Sequence, residues 1–149
     1  MSSPTLLITG ACGFTGRHLV TTAKEKGYRC IALAQYEGSA VEGAASTLVA
    51  DLLNPLALQR AIKQAAPTYI VHLAAISFVA HGDTADMYRV NQLGTVNLLE
   101  AIQKCAPTIK KVLIASSANI YGNTSDLPIT EATSPAPVNH YGMSKMTME

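Results

Sequence analysis

The chain has 149 residues, 48% apolar and 14% charged, which suits one well-buried domain and excludes a disordered or low-complexity protein. With 11 Lys and Arg against 10 Asp and Glu, there is no electrostatic reason to expect nucleic acid or an anionic membrane as partner. Cys12, Cys30 and Cys105 are odd in number and widely spaced, without metal-ligand spacing, and read as free thiols of a reducing compartment. Residues 1–9 lack the basic start of a signal peptide. No apolar stretch approaches the roughly 20 residues of a membrane span, so a cytoplasmic protein is expected.

In chain order, residues 5–9 read as a first strand. A glycine turn follows, then a helix over residues 14–26, with Gly27 as its stop. Residues 29–34 (Arg-Cys-Ile-Ala-Leu-Ala) form a second strand, 35–46 a small polar loop, and 47–50 a short third strand closed by Asp51. Asn54 before Pro55 is an N-cap with proline at the first helical position. It opens a second helix that Pro67 stops. Residues 69–73 are a fourth strand, 74–83 a loop, and Asp83 or Thr84 caps a long third helix ending before Pro107. Residues 111–116 are a fifth strand, 117–139 are irregular, and a last helix begins near His140.

Strands and helices alternate, and the strands are nearly continuous apolar runs. That pattern predicts an α/β doubly wound parallel sheet of Rossmann type with helices on both faces. Right-handed crossovers give the strand order 3-2-1-4-5. Ligand is then expected at the switch point, beyond the C-terminal ends of strands one and four. Gly10, Asp51, Ala74 and Ser117 all fall just past strand ends, so four candidate positions point to one crevice.

The turn is Thr9-Gly10-Ala11-Cys12-Gly13-Phe14-Thr15-Gly16. Between a strand and a helix N-terminus, free N–H groups and the helix dipole point at one spot, which suits a pyrophosphate. Glycines let the chain turn tightly and the ligand come close, and a β-carbon at Gly13 or Gly16 would occupy that space. The spacing departs from Gly-x-Gly-x-x-Gly, and an ordinary strand–helix turn is the alternative. Near the other end stands Tyr141-Gly-Met-Ser-Lys145, which puts Tyr141 and Lys145 on one helix face. A nearby ammonium favours a phenolate, and a tuned tyrosine can exchange a proton with an alcohol or ketone. Ser117 could bond the same oxygen. A plain solvated helix face is the bland reading of this pair.

Taken together, the TGxxGxxG turn, Asp51-Leu52, His72-Leu73-Ala74-Ala75, Asn91, the run Ser116-Ser117-Ala118-Asn119-Ile120-Tyr121-Gly122 and Tyr141-x-x-x-Lys145 form a recognisable set. They resemble the extended short-chain dehydrogenase/reductases, and within them the nucleotide-sugar epimerase/dehydratase/reductase branch. The resemblance covers essentially the whole chain. It implies NAD or NADP as cofactor, with Gly10, Gly13, Phe14, Thr15 and Gly16 on the pyrophosphate. Asp51 and Leu52 would meet the adenine, although a helix-capping or turn aspartate is nearly as good a reading of Asp51. Leu73, Ala74 and Ala75 would line the ribose and nicotinamide path, and His72 reads as a core histidine. Asn91 resembles a cofactor-side asparagine, or is an ordinary polar helix position. Ser116 would contact the cofactor, and Ser117, Tyr141 and Lys145 would be the catalytic trio, the last two also touching cofactor.

The implied activity is an NAD(P)-dependent oxidoreductase or epimerase acting on a nucleotide sugar, with Tyr141 as acid/base. Ala118 and Asn119 stand where 4,6-dehydratases resemble each other in carrying an acid, so a 4-ketoreductase or epimerase is favoured. Gln35 and Tyr36 end the second strand without a carboxylate for a ribose, and Arg17 is a weak candidate for a 2′-phosphate, which leaves NAD against NADP open. Members of the family are about twice this long. The chain therefore reads as the dinucleotide-binding half at residues 1–149, before a substrate domain, with a homodimer implied at full length. A non-catalytic dinucleotide-binding fragment or cofactor sensor is the alternative.

Overall fold

The structure is a computed structural model that describes residues 3–78, 82–125 and 127–149. The expected loop at 74–83 and the irregular segment at 117–139 thus lie partly outside the described residues, as do the first two residues of the N-terminal stretch. The chain divides into two compact units. One comprises Met1–Ala74 and Asn97–Ala115, the other Ala75–Val96 and Ser116–Glu149.

The first unit is built on a five-stranded parallel sheet in the order β3-β2-β1-β4-β5. Its strands are β1 (Thr5–Thr9), β2 (Arg29–Ala34), β3 (Ser46–Val49), β4 (Tyr69–His72) and β5 (Lys111–Ile114). This is the Rossmann order predicted from the alternation of elements. The central strands are apolar because both faces are covered: Leu7 and Ile8 of β1, Ile31 and Ala32 of β2 and Ile70 of β4 are almost wholly buried. On one face Leu6, Ile8, Cys30 and Ala32 form a cluster with Val20 and Ala23 of α1 (Phe14–Glu25). Right-handed crossovers put α2 (Pro55–Ala65) and the Asn97–Cys105 part of α4 (Gly94–Cys105) on the opposite face. Their Leu58, Ile62, Leu98 and Ile102 are buried.

Local chemistry sets the helix ends. The Asn54 side chain accepts the Ala57 N–H at 3.0 Å, with Pro55 in the first turn. Gly27, at φ +84°, turns the chain after α1. The helix ends at Glu25, one residue short of the expected stop: the Lys26 N–H still bonds the Thr22 carbonyl in the helical pattern, and the Gly27 N–H closes a tighter turn on the Lys24 carbonyl. The strands shift slightly against expectation. The third begins at Ser46, which pairs with Ile31. The fourth and fifth end at His72 and Ile114, where their mutual register ends.

The second unit contains α3 (Thr84–Tyr88), a π turn (Arg89–Leu93), a 3₁₀ turn (Ala118–Tyr121) and α5 (His140–Met148). The long third helix expected from sequence is interrupted. At the π turn the hydrogen bond reaches back five residues, from the Gly94 N–H to the Arg89 carbonyl. Asp83 caps α3 through the Asp86 N–H, and Asn139 caps α5 through the Gly142 N–H at 2.7 Å. The irregular stretch after β5 holds the 3₁₀ turn, capped by Ser117. Gly142 lets α5 lie directly on that turn: a β-carbon there would come 2.5 Å from the Asn119 carbonyl oxygen.

Candidate functional site

In the first unit the glycine turn is shaped by its neighbours. Gly10 has φ +66°, a left-handed conformation that favours glycine. A β-carbon on it would lie 2.7 Å from the Ala74 nitrogen, so the exit of β4 passes directly over the turn. The Gly13 N–H bonds the Gly10 carbonyl at 3.0 Å. A β-carbon at Gly16 would strike the Gly10 carbonyl and the Ala11 backbone. This corrects the reading that Gly16 keeps ligand space clear: its absent side chain lets the helix sit on the turn. Gly13 is different, since a β-carbon there meets only the Gly10 oxygen, at 3.3 Å, and otherwise points into open space.

The N-terminus of α1 has no side-chain cap, unlike those of α2, α3 and α5. Gly13, Phe14 and Thr15 are exposed there, Phe14 at 82%. Amide donors of a helix start, backed by its dipole, suit a diphosphate. Thr9, which opens the motif, is 1% exposed. Its hydroxyl accepts the N–H groups of Leu73 (3.2 Å) and Ala74 (3.1 Å) and lies 2.6 Å from His72 Nδ1. Sequence reading assigned His72 to the core, where it sits, but missed Thr9 as the residue that shapes the Leu73–Ala74 backbone.

After β3, Asp51 accepts the Leu53 N–H at 2.8 Å on Oδ1 and the Gln35 amide at 3.2 Å on Oδ2. It is thus a turn aspartate, whatever else it meets. Leu52 beside it is buried, and its carbonyl accepts from Asn97 at 2.9 Å. Arg17 donates from Nε to the Cys12 carbonyl at 2.9 Å. Cys12, Cys30 and Cys105 are free thiols, and burial pushes the Cys30 thiol up.

The second unit holds the remaining candidates. Tyr141 is half-buried in the first turn of α5, and Lys145 lies one turn on. Lys145 is only 5% exposed, and burial pushes its ammonium below the usual lysine range, with Glu149 pulling the other way. No described residue accepts a hydrogen bond from its Nζ. A buried ammonium without a protein acceptor is costly unless a ligand oxygen meets it. Ser117 accepts from the Asn119 N–H and side-chain amide, both at 3.2 Å, and caps the turn on which α5 rests. Ser116 is exposed and Ala75 half-buried.

Asn91 is 1% exposed and sits in the π turn. Its Oδ1 accepts the Ile76 N–H at 2.8 Å, while its Nδ2 donates to the Ile76 carbonyl at 3.0 Å and to Ser144 Oγ at 2.9 Å. Its amide is therefore spent on the chain itself. Ser144, between Tyr141 and Lys145 in sequence, was not singled out from the sequence; its place inside Tyr-x-x-x-Lys was the available signal. Among the described residues no helix is long and apolar enough to cross a membrane, and no three His, Cys, Asp or Glu side chains cluster to hold a metal ion.

Residues 6–149 match the NAD dependent epimerase/dehydratase family. The chain is 38% identical over 144 residues to a GDP-6-deoxy-D-talose 4-dehydrogenase of Aggregatibacter actinomycetemcomitans, covering 97% of this chain and 46% of the relative. It is 31% identical over 164 residues to human UDP-glucose 4-epimerase, again covering 97% and 46%. Among solved structures, the UDP-glucose 4-epimerase of Brucella ovis in complex with NAD superposes with a TM-score of 0.88 at 29% identity, covering 98% of this chain and 46% of that one. The chain spans about half the length of the curated relatives it matches.

Proposed function

The chain belongs to the NAD dependent epimerase/dehydratase family, and on that premise we propose that it serves an NAD-dependent enzyme acting at the 4-position of a nucleotide sugar, as a 4-ketoreductase or a 4-epimerase. The names of the relatives support the position: one is a 4-dehydrogenase and the other a 4-epimerase. A 4,6-dehydratase fits less well. Ala118 and Asn119 offer no carboxylate after Ser117, and the Asn119 side chain is engaged with Ser117 and Asn139.

In this reading the uncapped start of α1 and the turn at Gly10, Gly13, Phe14, Thr15 and Gly16 hold the diphosphate of NAD. Asp51 and Leu52 flank its adenine, and Leu73, Ala74, Ala75 and Ser116 line its path. Bound NAD supplies hydride acceptance and donation. Tyr141 holds or gives the proton at the sugar oxygen, Ser117 orients that oxygen, and Lys145 places its ammonium on the ribose and beside the phenol. The observation that carries the reading is the Lys145 ammonium, buried, unmatched by any described acceptor, and one helical turn from Tyr141.

A homodimer is part of the proposal. Leu93, Val96, Met143 and Met146 of the second unit are large apolar side chains left 48%, 45%, 38% and 37% exposed, a surface that a second copy would cover. The functional test is consumption of reduced dinucleotide with a 4-keto nucleotide sugar, beside fluorescence titration with NADH and NADPH. Binding without turnover on any 4-keto or 4-hydroxy nucleotide sugar would favour a dinucleotide-binding module instead.

A further inference from the structure

Within the second unit one chain of hydrogen bonds runs from the π turn to the first turn of α5. It begins at the Ile76 backbone, whose N–H and carbonyl are both bonded by the Asn91 side chain. The second Asn91 amide hydrogen goes to Ser144 Oγ, and the Ser144 hydroxyl donates to the Tyr141 carbonyl at 2.8 Å. Thr95 closes the π turn by donating to the Asn91 carbonyl at 2.7 Å. Both Asn91 amide hydrogens are used, and Ser144 both accepts and donates. Ser144 is 0% exposed. An alanine would satisfy burial alone at that place; a hydroxyl there has to be matched, and it is matched on both sides.

From this geometry we infer that Ser144 is a positioning residue: its hydroxyl fixes the rotation of α5 against the π turn, and with it the directions of Tyr141 and Lys145. The inference rests on the reading of Tyr141 and Lys145 as the proton-transfer pair. It goes further, since it assigns a role to a side chain that touches neither sugar nor dinucleotide. The physical reason is leverage. Tyr141 precedes Ser144 by three residues and Lys145 follows it by one, so both flank the single pinned point. A helix start that loses its pin can rotate, and displacements of about 1 Å at reacting groups cost up to about a hundredfold in rate.

The test compares the wild-type enzyme with Ser144→Ala, Asn91→Ala, the double variant and Tyr141→Phe. Turnover with a 4-keto nucleotide sugar, the KM for that sugar and the NADH dissociation constant from fluorescence are measured on each. Ser144→Ala should lower kcat about ten- to a hundredfold and move the sugar KM little. It should weaken NADH binding by up to about tenfold, the size of one lost hydrogen bond. Asn91→Ala should do the same, and the double variant should lose less than the product of the two. If Ser144→Ala does not fold, Ser144→Cys, similar in volume and weak as donor and acceptor, takes its place with the same expected losses. A folded Ser144 variant with wild-type kcat and NADH affinity, beside an inactive Tyr141→Phe, overturns this inference alone. Wild-type turnover by Tyr141→Phe overturns the proton-transfer reading, and this inference with it.

Discussion

Thr9 Oγ1 lies 2.6 Å from His72 Nδ1 while accepting the N–H groups of both Leu73 and Ala74. A hydroxyl has one hydrogen and two lone pairs. With its lone pairs turned to these two N–H groups, the hydroxyl is placed to donate its hydrogen to the imidazole nitrogen. The bond joins the ends of β1 and β4, where the sheet order reverses. Thr9→Val keeps the shape and removes the hydroxyl, leaving the Ala74 N–H and His72 Nδ1 without it. The expected loss is about 2–3 kcal/mol, read as a Tm drop of roughly 4–12 °C, with Thr9→Ser close to wild type.

The two glycines on either side of the start of α1 should separate stability from binding. Gly16→Ala forces a β-carbon into the turn's own backbone and should cost about 1–3 kcal/mol in urea unfolding. Gly13→Ala faces open space apart from the Gly10 oxygen and should cost under about 1 kcal/mol. It should nevertheless weaken NADH binding by about tenfold or more, because the methyl group stands where the diphosphate would approach. Equal stability losses, with unchanged NADH affinity in Gly13→Ala, would contradict this division.

Lys145 should be a stability cost retained for function. Burial pushes its ammonium down in the folded chain, so the unfolded chain holds that proton more tightly. The penalty is fully present below the folded value and is relieved as pH rises from there towards the ordinary lysine value. Lys145→Met should therefore gain about 1 kcal/mol at neutral pH, the usual size of a stabilising substitution. It should also lose the part of the alkaline rise in stability that Lys145 supplies, while abolishing turnover. A marked loss of stability in the variant would show that the ammonium has a structural partner.

The proposed dimer is tested at Val96, which is 45% exposed. Sedimentation should show a dimer for the wild type and a monomer for Val96→Arg, with the fold intact by circular dichroism, since a charge on an apolar contact is left without water. A wild-type monomer at micromolar concentration would remove the proposal.

Much of the fold was legible because it follows from periodicity and end signals. Apolar runs of strand length, Asn54 before Pro55, Asp83 at a helix start and Gly27 after α1 each act over a few residues. Crossover handedness then ordered the strands. What escaped was set by contacts distant in sequence. The π turn carries Asn91, whose amide is taken by Ile76 and Ser144, 15 and 53 residues away, and the apolar spacing of a helix is blind to that. The strand ends at His72 and Ile114 follow from the pairing of β4 with β5, not from local apolarity, which continues further. At the site, residue types carried Tyr141, Lys145 and the glycine turn. Thr9 and Ser144 stayed hidden because their roles consist of hydrogen bonds to backbone groups and, for each, to one side chain far away in sequence, His72 for Thr9 and Asn91 for Ser144. Gly16 was found for the wrong reason: the crowding is from the turn itself.

The most direct measurement follows the absorbance of reduced dinucleotide as the wild-type enzyme and Tyr141→Phe meet a 4-keto nucleotide sugar, with NADH affinity measured on both. Both should bind NADH alike, and the variant should turn over at least about a hundredfold more slowly than the wild type. Equal turnover by the two would contradict the assignment of proton transfer to Tyr141.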